Sequence, residues 1–314
     1  MSTSVGVTIY PDDAETADAL MKNADQAMYE AKNRGRNRFA YFTPSMQEGA
    51  LQRLRLINDL RQALGARQFE VHFQPIVELA TGRVNKVEAL LRWNHPGRGS
   101  VSPSEFIPLA EDAGLIVQIG DWVFVESVRW ARRWQQLGPQ GIQVSVNKSP
   151  AQFRADSTGL RNAWKTHLAT HGVAGRSIVV EITEGLLLNA EADVQDKLLE
   201  FRDAGVQVAI DDFGTGYSAL AYLKKFDIDY LKLDRSFVQD IDTDADDLAL
   251  SEAIVAMAHK LGLKVVAEGV ETTAQRERLM AIGCDYAQGF LFSQPLPFAE
   301  AGQMLEAHAK NIPT

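Results

Sequence analysis

A pattern recurs eight times between residues 69 and 292: a short apolar run rich in β-branched or aromatic residues, a polar end and, in most cases, a stretch with helical periodicity. The runs are FEVHFQPIVEL (69–79), KVEALLRW (86–93), IQVSVN (142–147), SIVVEITE (177–184), QVAIDDFG (207–214), YLKLD (230–234), KVVAEGVE (264–271) and YAQGFLF (286–292). Helical stretches over about 121–136, 191–204, 247–261 and 273–282 lie between most of them. Eight strands alternating with helices over this span predict an α/β fold, a TIM-like (β/α)8 barrel. The first two runs are separated mainly by ATGR, a turn and not a crossover helix. They are therefore expected to pair as a hairpin, with one antiparallel strand in the barrel.

The segment before the barrel has its own character. SVGVTIYP reads as a strand ended by Pro11, and ADALMKNADQAMYEAKNRGRN reads as a helix with Leu20, Met21, Ala24, Ala27, Met28 and Ala31 near one face. RFAYF reads as a second short strand. One helix and two strands bury little, so residues 1–43 are expected to be a fragment of a larger domain. Residues 44–50 read as a linker and 51–314 as the barrel domain, opened by an amphipathic helix over 51–64. A strand that begins almost at Met1 suggests a longer parent protein, which could be membrane-anchored through regions N-terminal to this one.

The apolar fraction of 46% and charged fraction of 23% suit a soluble globular chain. No apolar run approaches the roughly 20 residues needed to span a bilayer, so no membrane contact is expected of these residues. A single cysteine, Cys284, excludes an internal disulfide framework and fits a cytoplasmic setting. A net charge of −9 argues against a nucleic-acid polymer as partner. It leaves room for a small anionic ligand held locally by cations.

Alternate residues of a strand share a face. In YLKLD this turns Leu231 and Leu233 toward the helices, with Lys232 and Asp234 inward; in QVSVN it turns Val144 and Val146 out, with Ser145 and Asn147 in. Glu88, Glu181, Asp211, Lys232 and Glu268 each stand late in a different strand, and a barrel gathers such ends on one face. AIDDFGTGYSAL (209–220) adds a second acid, Asp212, directly beside Asp211. Adjacent buried carboxylates call for a basic side chain, a metal ion or water opposite them. Oxygen ligands of this kind suit Mg²⁺ or Mn²⁺ better than zinc, for which no His/Cys cluster exists.

EALLRW resembles the signature of the EAL domain, the cyclic di-GMP phosphodiesterase family. The likeness runs over about 51–300, through FQPIVELATG, VSPSEFIPLAEDAGLI, SVNKSPAQF, EITE, DDFGTGYSAL, LKLD, AEGVE and QGF. It implies a barrel with one antiparallel strand and hydrolysis of cyclic di-GMP to linear pGpG with two Mg²⁺ or Mn²⁺ per active site, Ca²⁺ being inhibitory. Glu88, Asn147, Glu181 and Asp211 match the first metal site, Asp212 and Asp234 the second, and Glu268 the metal centre. Lys232 matches the lysine that holds or activates the attacking water. Lys232, Glu88 and Glu268 are thus the expected catalytic set, and Gln74, Leu91, Arg92 and Gln288 the substrate contacts. Glu184, Gly214, Gly216 and Glu271 match a loop that links metal binding to a homodimer interface. Residues 1–43 resemble the C-terminal end of a GGDEF domain, notably in ADQAMYEAKNRGRN, but the active-site sequence GG[DE]EF is absent, so cyclase activity is not expected.

Blander readings exist for each residue. The strand-end acids could be solvated or paired with arginines, Arg92 could be a structural ion-pair partner, and Glu184 and Glu271 could serve structure alone. The histidines, including His72, His95 and His259, lack metal-ligand spacing. Trp122, Trp130 and Trp134 are expected to pack on the barrel. At the level of function, a non-catalytic cyclic di-GMP receptor and a two-carboxylate glycosidase compete with the phosphodiesterase. The complete set of acids, with an amide and a lysine, favours metal-dependent hydrolysis.

Overall fold

The computed structural model describes residues 3–33, 35, 37–137, 141–155, 161–188, 192–214, 223 and 226–310. Its leading part is a parallel pair, β1 (Val5–Val7) and β2 (Phe39–Tyr41), joined by the helix Ala17–Asn33. The helix Pro44–Ala63 follows, so the stretch expected as a linker over 44–50 is helical. Pro44 occupies the first turn, where its missing N–H costs nothing, and Thr43 before it is extended.

The barrel strands are β3 (Phe69–Glu78), β4 (Val84–His95), β6 (Gln143–Asn147), β7 (Ile178–Thr183), β8 (Gln207–Phe213), β9 (Tyr230–Leu233), β10 (Lys264–Ala267) and β11 (Tyr286–Ala287), with β5 (Gly99–Val101) and β12 (Leu296–Pro297) as outlying pairings. β3 runs antiparallel to both β4 and β11 and closes the circuit; the other barrel pairings are parallel. The expected hairpin is thus present, with Gln74 opposite Glu88.

Period-2 alternation divides the core in two. Val144, Val146, Leu231, Leu233, Val265 and Ala267 face outward into the layer beneath the helices. Ile76, Val179, Ala209, Tyr230 and Val266 fill the barrel interior. Trp134 meets Phe73 edge-on at 4.9 Å, and Trp130 and Trp122 pack partly buried on the same layer. The helix Thr273–Ala281 starts on a reciprocal capping box between Thr272 and Gln275, which fixes where β10's return segment ends. Among the described residues no helix is long and apolar enough to cross a membrane.

Candidate active site

Lys232 is the hub of the barrel's C-terminal end. It is 1% exposed. Its Nζ lies 2.6 Å from Glu268 Oε1, 2.7 Å from Glu181 Oε2, 3.0 Å from Asp211 Oδ1 and 3.5 Å from Glu88 Oε2. Each carboxylate comes from a different strand or the residue that follows it: in the register Glu88 pairs with Ser145, Asn147 with Glu181, and Lys232 with Val266, with Glu268 just past the end of β10. Asp211 Oδ1 is near the ammonium but outside hydrogen-bonding angles, so this buried oxygen has no hydrogen bond.

Glu88 is fixed from both sides. Its Oε1 accepts from Asn147 Nδ2 at 2.7 Å and its Oε2 from Gln288 Nε2 at 2.7 Å. Gln288 Nε2 also donates to Gln74 Oε1 (2.8 Å), and Gln74 Nε2 to the Ser293 carbonyl (3.1 Å). The Gln288 Oε1 atom is buried without a hydrogen-bond partner.

Neighbouring residues of a regular strand point to opposite faces, yet Asp211, Asp212 and Glu268 each bring a carboxylate oxygen within 4.8 Å of the others. The β8–β9 register breaks between Ile210 and Phe213, and Asp212 takes a φ of 54°. That left-handed turn, which aspartate tolerates better than most residues, re-aims the second acid. Asp234 caps the helix Arg235–Val238, its Oδ1 accepting from Ser236 N (2.9 Å) and Ser236 Oγ (2.5 Å).

Glu184, buried at the start of the helix Glu184–Leu188, accepts from Gly214 N at 3.2 Å. Gly214 has φ +98°, and a Cβ there would come within 2.7 Å of the Phe237 ring. Gly216 lies outside the described residues. Glu271 pairs with Arg235 at 2.9 Å. Arg92 is half-buried and donates from Nη1 to the Leu91 carbonyl (2.9 Å). Leu91, expected as a substrate contact, packs against the hydrophobic core, and Leu90, on the opposite strand face, lines the cavity.

That cavity, of about 290 Å³, is lined by Gln74, Glu88, Leu90, Asp211, Lys232 and Gln288 together with Arg235, Glu268, Gly269, Glu271 and Phe290. The sequence alone assigns no role to Arg235, Gly269 or Phe290, although Gly269 lies within AEGVE, Phe290 within QGF and Arg235 directly after LKLD. Phe290 is 58% exposed.

The charges are unbalanced. Burial, with Glu88 and Asp211 adding, pushes Glu181 well above the usual carboxylate range against the pull of Lys232. Burial likewise takes Glu268 up to about 8, with Lys232 opposing and Asp211 and Glu88 adding. Burial and its neighbours Asp211 and Asp234 raise Asp212. Burial also acts upward on Glu88, but the Lys232 charge and the hydrogen bonds from Gln288 and Asn147 outweigh it and hold this carboxyl low. For Lys232 burial acts downward, and Asp211, Glu181, Glu268 and Glu88 together keep it well above an ordinary lysine. One ammonium cannot satisfy this many acids.

The family model described as EAL domain matches residues 57–295. The chain belongs to the EAL family. The model described as diguanylate cyclase, GGDEF domain, matches residues 1–38, so a short C-terminal fragment of that second family, with β1 and the helix Ala17–Asn33, precedes the barrel. The bifunctional diguanylate cyclase/cyclic di-GMP phosphodiesterase MucR of Pseudomonas aeruginosa is 46% identical over 298 residues, 95% of this chain and 43% of the relative. The cyclic di-GMP phosphodiesterase NbdA of the same organism is 42% identical over 308 residues, 98% of this chain and 39% of the relative. The chain therefore spans less than half the length of either relative. The solved PaMucR phosphodiesterase–c-di-GMP complex superposes with a TM-score of 0.74 at 44% identity, covering 79% of this chain and 99% of that one. The EAL barrel is thus the fold as well as the family.

Proposed function

We propose that this EAL domain hydrolyses cyclic di-GMP to linear pGpG with divalent metal ions. The observation that carries the reading is the convergence of Glu88, Glu181, Asp211 and Glu268 within 3.5 Å of one ammonium, with Asp212 beside them. The donor set fits Mg²⁺ or Mn²⁺: hard carboxylate oxygens, an amide at Asn147, and a buried Asp211 oxygen with no hydrogen bond. Glu88, Asn147, Glu181 and Asp211 would hold one ion, and Asp212, Glu268 and Asp234 a second. Such ions, when bound, polarise a phosphoryl oxygen and lower the pKa of water.

The chain's own groups do the rest. Lys232, held protonated by its acids, orients water for in-line attack and stabilises charge on the phosphoryl oxygens. Water adds across one P–O3′ bond: its oxygen stays on phosphorus and a proton ends on the departing 3′ oxygen. Asn147 and Gln288 keep Glu88 ionised and in one orientation, which a ligand to a cation requires. Arg92 offers a planar donor pair to phosphate, and the exposed ring of Phe290 offers a face to a guanine. The reading also carries a cytoplasmic setting, Ca²⁺ as an inhibitor, and pairing of two copies through a loop that includes Glu184 and Gly214.

Purified protein with Mg²⁺ or Mn²⁺ is expected to convert cyclic di-GMP to the linear dinucleotide, read by liquid chromatography, while Glu88→Ala stays silent. Wild type that binds cyclic di-GMP in the presence of metal without turning it over would make this a receptor; turnover undiminished by a chelator would remove the ions from the reaction.

A further inference from the structure

The ladder between β9 and β10 ends just where the chemistry begins. Leu233 pairs with Ala267, and the last bond runs from Glu268 N to the Leu233 carbonyl at 3.0 Å. Beyond it the two loops diverge, and Arg235 bridges them. Its stem lies on Gly269, where a Cβ would stand 2.4 Å from Arg235 Cγ, and Gly269 has φ +69°. Its guanidinium reaches Glu271 Oε1 at 2.9 Å. On the far side the same segment is tied to the β11 loop through Val270 N to the Gln288 carbonyl (3.0 Å).

We propose that Arg235 is a positioning residue, whose stem and guanidinium together clamp segment 268–271 so that Glu268 meets Lys232. Absence of a side chain at Gly269 makes room for the stem, and Glu271 fixes the guanidinium. Both ion-pair partners are substantially exposed, 56% and 42%, so the pair adds little to global stability. Its effect is local: it acts on two strand ends that carry site residues. The effect on turnover rests on the phosphodiesterase reading; the clamp itself does not.

The test compares Arg235→Ala, Glu271→Gln, the double variant and Arg235→Lys in the full chain, by amide hydrogen exchange over 264–272, thermal unfolding and cyclic di-GMP turnover. Arg235→Ala is expected to speed exchange in 268–271 about tenfold or more, with no comparable change elsewhere in the barrel. It is expected to lower kcat about tenfold or more while KM moves less than about threefold. The double variant is expected to resemble Arg235→Ala alone, because both changes break one contact, and Arg235→Lys to recover part of the loss. Unchanged exchange in 268–271, exchange raised equally throughout the barrel, or kcat within about twofold of wild type despite faster exchange would each overturn the proposal. Wild type inert on cyclic di-GMP would defeat the phosphodiesterase reading instead, and exchange would still decide the clamp.

Discussion

Lys86 offers a sharp test of how the barrel interior treats charge. It stands two residues before Glu88 on β4, so it faces inward at the end of the barrel away from the site. It is buried, donates to Tyr230 Oη at 2.7 Å and to Gln143 Oε1, and lies over the Tyr230 and Tyr286 rings. Burial lowers its pKa from 10.5 to about 7, with Asp229 and Glu78 opposing only in part. An unfolded chain holds this proton to about pH 10.4. Between pH 7 and that value the unfolded state binds more protons than the native state, so stability rises with pH across this window. Below pH 7 both states are protonated and the penalty is constant, on the order of 5 kcal/mol relative to a neutral amine.

Lys86→Met keeps the chain length and removes the titration. The variant leaves the Tyr230 hydroxyl without a donor and Gln143 Oε1 with only the Tyr230 hydroxyl at 3.4 Å, a cost of about 1–3 kcal/mol that does not depend on pH in this range; burial holds the Tyr230 phenol well above it. The decisive quantity is therefore the change in the difference between the two proteins. From pH 7 to pH 9.5, wild type is expected to gain about 3 kcal/mol relative to Lys86→Met. Urea denaturation at the two pH values measures it. Parallel pH profiles for the two proteins would show that Lys86 keeps an ordinary pKa, through water or a carboxylate that reaches it.

Other outcomes follow from the same structure. Lys232→Met leaves its acids without their shared cation, so in chelator it should lose about 3–5 kcal/mol of stability, and Mg²⁺ should restore part of the melting temperature; a variant as stable as wild type in chelator would mean that the acids accept protons at no cost. Mg²⁺ at a hundredfold excess over its Kd should stabilise wild type by about 2.7 kcal/mol, an effect that calorimetry should find greatly reduced in Asp211→Asn. Asp285 accepts from Lys264 Nζ (2.7 Å), His259 Nε2 (2.8 Å) and Val265 N (2.9 Å), and these hydrogen bonds outweigh burial and hold its pKa low. Its contribution is present above the unfolded carboxylate value of about 3.9 and disappears as pH falls through the lower native value, so the destabilisation caused by Asp285→Asn should be seen at pH 7 and fade in acid denaturation profiles. Gly289→Ala would place a Cβ 2.1 Å from the Val270 carbonyl oxygen; it should cost about 1–3 kcal/mol and lower turnover by moving Gln288 away from Glu88.

The period-2 rule accounts for what the sequence made legible and for where it stopped. Within the ladder each strand's parity is enforced by hydrogen bonds, so Leu231 and Leu233 lie outside and Lys232 inside, as expected from YLKLD alone. The same parity buries Lys86 and turns Leu90, not Leu91, toward the cavity. Both placements follow from the alternation in KVEALLRW. At the strand ends the rule lapses because the ladder lapses. Asp211 and Asp212 share the site only through a broken register and a left-handed φ, which no spacing encodes. Arg235 belongs to a helix that begins one residue after Asp234, and Glu271 to a return segment; their meeting depends on how two loops lean. Functional groups in a barrel gather at these ends because there the backbone is released from pairing and can aim side chains freely. The freedom that builds the site is the same freedom that hides its geometry from the sequence.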